Sequence, residues 1–302
     1  MEGQALHTFR NAMTRVTMTP LPLLPVEPNY LDWHGHRIAH YQMGTGRPIL
    51  LVHSINAAAS AFEMRGPFRG LSSEYTVHAC DLLGYGNSDR PARHYRDTDY
   101  IDQIGVMLEQ IAEPSRLIAS SLGAAYAVAA AERWPERVRA LILVCPTGMR
   151  QLNQPPGRLA RACYALLRGR LGQAIFERLT SRSGSAFFLR SQAYYDAAAI
   201  SQETLDSFYT TCRRPGAYHA PICFITTMLN CDIRTSFPRL RQPILLVWGR
   251  QATTTPLRYA QAFLKANPQA QLEVIDRASM LVQDERPDEF NQICRTFLAE
   301  RT

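Results

Sequence analysis

The stretch that most constrains what this chain can fold into runs from residue 115 to 131. An apolar strand candidate at 117–119 leads into Ala119-Ser120-Ser121-Leu122-Gly123, and a small-residue helix follows at 124–131. Strand, sharp turn and helix around small-x-Ser-x-Gly is the context of a nucleophile elbow, with Ser121 at its apex. Small residues flank the serine because the tight turn leaves no room for larger side chains. The turn lifts the hydroxyl off the end of a sheet and aims the next backbone N–H, that of Leu122, at the place where an oxyanion would form. The alternative is an ordinary strand-to-helix turn with a serine N-cap, and the flanking elements weigh against it.

The rest of the chain repeats the same alternation. Residues 30–33 and 36–41 read as a hairpin turning at His34-Gly35. Residues 49–52 and 138–145 are short apolar runs of the kind expected of strands buried on both faces, and 75–80 and 243–249 also read as strands. Helices are expected at about 58–69, 100–112 and 256–266, then a strand at 271–275 and a closing helix at 287–300. Buried strands alternating with helices imply right-handed crossovers and an α/β fold with a mostly parallel, doubly wound sheet. Residues 147–236 break the pattern. They hold helical stretches, arginines and aromatics such as Phe187, Tyr194 and Phe208, but no strand run. The expected organisation is an irregular proline-bearing arm (1–27), a core (28–146 and 237–302) and an inserted helical cap (147–236).

Composition excludes several function classes. The net charge of +7 comes mostly from arginines at 139–190 and 213–250. They form no isolated basic run and no basic–aromatic alternation, so a solvated surface is favoured over nucleic-acid binding. The seven cysteines are odd in number and scattered, with no Cys-x-x-Cys. They are expected to be reduced, buried thiols, with no disulfide framework or metal site. No apolar stretch reaches the length of a membrane span, and no signal peptide is evident, so a cytoplasmic location is expected. No dinucleotide fingerprint, phosphate loop or metal-ligand cluster is present, so no cofactor is expected. The oligomeric state is left open.

Four segments in order resemble the α/β-hydrolase superfamily over about residues 29–300. They are Leu51-Val52-His53-Ser54, then Asp81-Leu-Leu-Gly-Tyr-Gly-Asn-Ser-Asp-Arg-Pro91, then the Ser121 elbow, and finally Val247-Trp-Gly249 with Pro256 and Glu285-Arg-Pro287. The Asp81–Pro91 segment is the most specific of these. The resemblance implies a capped α/β-hydrolase fold. It also implies an oxyanion site built from the Ile55 and Leu122 N–H groups, to which Ser54 and Asn56 add side-chain donors. A helix-capping role for Asn56 is the competing possibility. Glu63 has a similar choice between the mouth of the site and solvent, and helical spacing favours solvent.

The departures bear on chemistry. At the family's triad-acid position, three residues after the Gly of Trp-Gly, this chain has Ala252. At the triad-histidine position, about seven residues before Arg-Pro, it has Met280, and no histidine occurs after His219. A serine hydroxyl is a weak nucleophile without a base, and neither Ala nor Met supplies one. His219 in the cap and His53 beside the oxyanion loop are the possible alternative bases, although the family's equivalent of His53 is usually structural. Asp276 and Asp284 flank the missing histidine and are expected to be surface charges.

Three functions follow. The first is an enzyme that binds an apolar carbonyl compound and promotes cyclisation, elimination or rearrangement, with Ser121 as a hydrogen-bond donor. The second is a serine hydrolase or acyltransferase with a relocated base, favoured by the retained serine. The third is a non-catalytic ligand-binding protein, favoured by the double substitution.

Overall fold

The computed structural model describes residues 19–300. Of the expected arm, residues 1–18 lie outside the described residues. Residues 19–28 form no helix or strand, yet bury Leu23 and Leu24. Asn87 holds this segment in place, accepting the Leu21 N–H at 2.7 Å and donating to the Leu21 carbonyl at 2.9 Å.

The hairpin is β1 (Asn29–Trp33) and β2 (His36–Met43). The buried apolar runs form β3 (Pro48–Val52), β4 (Thr76–Cys80), β5 (Ser115–Ser120), β6 (Val138–Val144) and β7 (Ile244–Gly249), and the more exposed β8 (Gln271–Ile275) completes the set. They make one eight-stranded sheet in the order β1-β2-β4-β3-β5-β6-β7-β8. β2 is antiparallel to both its neighbours, and β4 through β8 run parallel.

Strand order decides where the helices sit. The chain steps one way from β3 through α1 (Arg65–Leu71) to β4. It then steps back through α2 (Asp97–Gln110) to β5 and through α3 (Ser121–Arg133) to β6. With right-handed crossovers, the reversal puts α1 on one face of the sheet and α2 and α3 on the other. α9 (Ala260–Ala266), on the β7–β8 connection, lies on the α2–α3 face by the same rule. After α10 (Val282–Glu285), the last helix, α11 (Pro287–Ala299), packs beside α1, as α2 packs beside α3. The reversal falls between β3 and β5, so their C-terminal ends flank the crevice where open α/β sheets bind ligands.

Between β6 and β7 the chain forms α4 (Arg158–Leu167), α5 (Arg170–Leu179), α6 (Arg182–Phe188), α7 (Gln202–Cys212) and α8 (His219–Ile225), with no strand.

Several expectations are corrected. The helix expected at 58–69 is a 3-10 turn, Ala61–Met64, running into α1. The preceding residues are held as a loop, with Ala58 N–H bound to the Asn56 side chain and Ala61 N–H to Asp81. α2 starts three residues early because the Asp99 carboxylate caps the Arg96 N–H at 2.9 Å. The helix at 256–266 opens as a 3-10 turn, Leu257–Tyr259. All seven cysteines are free, but Cys163 is exposed.

Candidate active site

Ser121 is the first residue of α3 and follows β5 directly. Its φ of +53° lies in the left-handed region, which a non-glycine residue enters only where its surroundings enforce it. The enforcement is visible two residues on. A Cβ at Gly123 would lie 2.1 Å from the His53 carbonyl oxygen, so the start of α3 is pressed against the end of β3. The Ser121 carbonyl accepts the Thr147 N–H at 3.2 Å, tying the elbow to the loop after β6.

His53 is fully buried at the end of β3. Its Nε2 accepts the Leu82 N–H at 3.0 Å, which puts the proton on Nδ1, and Nδ1 donates to the Ser54 carbonyl at 2.6 Å. Burial holds its pKa below the usual imidazole value. Both nitrogens are engaged, Nδ1 within the loop after β3 and Nε2 with the start of the loop after β4. The adjoining Asp81 is also fully buried. It accepts from Ala61 N–H and Asn87 N–H at 2.7 Å each and from the Tyr41 hydroxyl at 2.8 Å. A Cβ at Gly86 would lie 2.0 Å from this carboxylate. The Asp81–Pro91 segment is thus a knot that fixes the crevice wall.

The loop after His53 differs most from expectation. Glu63 faces inward and is fully buried, correcting its expected solvent exposure. Its carboxylate accepts the Ser54 N–H at 3.1 Å and the Asn56 amide at 2.6 Å. The same amide nitrogen donates to Ser54 Oγ at 2.9 Å, while Asn56 Oδ1 accepts the Ala58 N–H at 2.8 Å. Every polar atom of the Asn56 side chain is therefore used inside the loop, and Ser54 faces the same carboxylate. The side-chain donors expected for a ligand are committed elsewhere. The Ile55 and Leu122 N–H groups make no hydrogen bond among the described residues.

Desolvation raises Glu63 to about 7, against hydrogen bonds from Ser54 and Asn56 that lower it. Asp284 adds to the rise and is itself pushed up to about 6 by burial, opposed by Arg65. Its side chain is 3% exposed, which corrects its expected surface position. It pairs with Arg65 at 3.1 Å and accepts the Tyr194 hydroxyl. Asp276 is exposed and pairs with Arg250. Neither Arg65 nor Tyr194 stands out as a site residue in the sequence, and Glu63 is weighed there only against a solvent-facing position. The available signal for Glu63 is a single carboxylate within the small and apolar run 57–64.

Ala252 and Met280 lie in the loops after β7 and β8, at the same C-terminal edge of the sheet as Ser121, and both are buried. The Thr254 hydroxyl reaches the Met280 sulfur at 2.9 Å. His219 opens α8, packs its ring 4.0 Å from that of Tyr218, and lines a cavity of about 500 Å³ with His94, Arg93 and Tyr164. Burial lowers its pKa.

A larger cavity of about 1200 Å³ lies among the cap helices and opens to the surface. Asn56, Ala57 and Ala58 form one side of it, and α5, α6 and α8 supply a largely apolar wall that includes Phe176, Phe188 and Ile222. His219 does not line it, and neither does Ser121, which is only 8% exposed. The cavity reaches residues 56–58 of the loop after β3 but stops short of the serine. No group of His, Cys, Asp or Glu suited to a metal ion occurs among the described residues, and no described helix is long and apolar enough to cross a membrane.

Comparison with known proteins agrees with this architecture. Residues 49–293 match the model of the alpha/beta hydrolase family. A 2-hydroxymuconate semialdehyde hydrolase of Pseudomonas putida is 26% identical over 275 residues, covering 88% of this chain and 92% of that one. A pimeloyl-acyl-carrier-protein methyl ester esterase of Shewanella woodyi is 30% identical over 224 residues, 72% of this chain and 80% of that one. Among solved structures, a serine hydrolase involved in carbazole degradation superposes with a TM-score of 0.76 at 19% identity, covering 91% of this chain and 99% of its own. A thermophilic esterase from Thermogutta terrifontis gives 0.71 at 21%, covering 92% and 99%. The family match runs from β3 into α11, across the strand reversal, the elbow and the cap, and the chain belongs to the alpha/beta hydrolase family.

Proposed function

We propose that this chain is an α/β-hydrolase-fold enzyme that has kept the pocket of its relatives and lost the proton relay. It takes an apolar small molecule bearing a carbonyl group and promotes a non-hydrolytic reaction, such as a cyclisation, elimination or rearrangement. The carbonyl oxygen is held by the Ile55 and Leu122 N–H groups, and the Ser121 hydroxyl acts as a donor. Such chemistry depends on orientation and on stabilising a developing oxyanion, and less on a strong base.

The observation that carries this reading is Met280, a buried thioether already engaged by the Thr254 hydroxyl where the resemblance places the general base. A thioether takes no proton at neutral pH. Two further features support it. His53 has no nitrogen left to act, and His219 opens on a different cavity from the one beside the oxyanion loop. The large cavity and its apolar wall suit a lipophilic ligand.

The relatives' names favour a second reading, a serine hydrolase with a relocated base, and the left-handed Ser121 is compatible with it. Intact-mass analysis after exposure to a small fluorophosphonate separates the two, with Ser121→Ala as control. No adduct is expected. Rapid single labelling that Ser121→Ala abolishes would overturn the non-hydrolytic reading, because it requires an activated serine. Incubation of the unlabelled protein with apolar carbonyl compounds, followed by product analysis, then distinguishes catalysis from mere binding.

A further inference from the structure

The outer surface of the cap has a composition unlike the rest of the molecule. Residues 147–200 carry eight arginines and two acids, a net charge of +6 against +7 for the whole chain. Arg158, Arg161, Arg168, Arg170, Arg178 and Arg190 are exposed and form no ion pair among the described residues.

Large apolar side chains stand among them. On α4, Leu159 and Leu166 are 78% and 66% exposed and sit one above the other at a spacing of seven, with Cys163 between them. On α5, Leu171, Ile175 and Leu179 repeat every four residues along the outer face, while Phe176 and Gly172 turn inward. Both helices are therefore amphipathic with the apolar stripe on the wrong side for a core. Phe187 and Ile225 continue the patch, at 69% and 55% exposure. Ile175, Leu179, Phe187 and Ile225 also line the 1200 Å³ cavity, so the part of the apolar surface on α5, α6 and α8 forms its rim, while Leu159, Leu166 and Leu171 lie outside it.

We propose that this face of the cap docks on a bilayer containing anionic phospholipid. The apolar stripe sits at the level of the headgroups, and the cavity mouth opens toward the acyl chains. Apolar residues on one face and arginines flanking them make the signature of a helix lying in the membrane interface. Arginine can bury its stem beside the leucines while its guanidinium meets lipid phosphate. Charge also selects the occupant. A second copy of the chain would bring a second surface of the same sign against the first, whereas an anionic lipid surface neutralises it. The inference does not depend on which chemistry occurs at Ser121.

Co-sedimentation of the full chain with vesicles tests it, using phosphatidylcholine alone or with about one-quarter phosphatidylglycerol. Binding is expected to the anionic vesicles only, and to fall when salt is raised. Arg158→Gln, Arg161→Gln and Arg168→Gln together should weaken it by about a hundred-fold, at about five-fold per basic residue. Leu159→Ser, Leu166→Ser and Leu179→Ser together should weaken it by about ten-fold or more. Both triple variants change exposed positions only, so an unchanged melting temperature confirms that they fold. No binding to anionic vesicles would overturn the proposal, as would binding that the leucine variant leaves intact. It would also fall if light scattering shows an oligomer that the leucine variant dissociates, since a second copy would then cover the face.

Discussion

Glu63 Oε2 accepts the backbone N–H of Ser54 at 3.1 Å, from a side chain with no exposure to solvent. The loop that carries the Ile55 amide is therefore held by a buried carboxylate whose pKa is pushed up to about 7. The unfolded chain titrates this group near 4.5. Between the two values the folded state binds more protons than the unfolded one, so raising the pH favours unfolding. The Glu63 contribution is thus most favourable below about 4.5 and declines as pH rises toward 7. Glu63→Gln removes the titration, so its urea midpoint should vary less than that of the wild type between pH 5 and pH 7.5. Parallel pH profiles for the two proteins would exclude this role for Glu63.

Ser121 separates two effects that an alanine scan merges. Its φ of +53° costs a non-glycine residue about 1–2 kcal/mol. Ser121→Ala keeps that cost, while Ser121→Gly relieves it and gives back part through the entropy of the unfolded glycine. Ser121→Gly should be about 0.5–1 kcal/mol more stable than Ser121→Ala, with both equally lacking the hydroxyl. Chemical denaturation of the pair checks this. If Ser121→Gly is the less stable of the two, the elbow is not strained at this residue.

How much of this was legible before the structure follows from the range of the interactions. The elbow was readable because its determinants are local: a β run, small residues at the turn, and a small-residue helix after it. The sheet was readable because strands buried on both faces leave continuous apolar runs such as Ile49 to Val52. The loop chemistry was not. Glu63 has the spacing of a surface residue, but its carboxylate is held by Ser54 and Asn56, and its carbonyl accepts the Gln283 amide from a segment 220 residues away. His53 is expected from the resemblance to be structural, but its partner, the Leu82 N–H on its Nε2, comes from the loop after a neighbouring strand and is not legible in the sequence. Side chains whose partners come from other strands carry no periodic signal, which is why Asp284 reads as a surface charge in the sequence.

The contact between Gly123 and His53 gives a sharp packing test. A Cβ at position 123 would sit 2.1 Å from a backbone carbonyl oxygen, which has no flexible end to move aside. Gly123→Ala should cost about 3 kcal/mol or more and displace the start of α3 from β3. If the proposed Ile55–Leu122 site holds the ligand carbonyl, the same displacement should also weaken ligand-dependent stabilisation. A thermal-shift series with and without an apolar carbonyl ligand reads both. A variant as stable as the wild type would mean that the end of β3 can retreat, and that the elbow is not pressed into place.

Installing an acid and a histidine at the positions the resemblance points to tests the proposed function from the opposite direction. Met280→His places an imidazole in the loop after β8, and Ala252→Asp places a carboxylate in the loop after β7 to orient it. Both positions are buried at the edge of the sheet that bears Ser121. A positioned base is worth about 10²–10⁴-fold, so fluorophosphonate labelling and hydrolysis of a simple activated ester should rise by that order in the double variant and much less in either single one. Met280→His also removes the sulfur that accepts the Thr254 hydroxyl, so some loss of stability is expected and is measured separately by melting. A folded double variant with no gain in labelling would show that these loops do not converge on Ser121. The substitution of Met280 would then no longer account for a missing base, and a relocated base would become the better explanation for the retained serine.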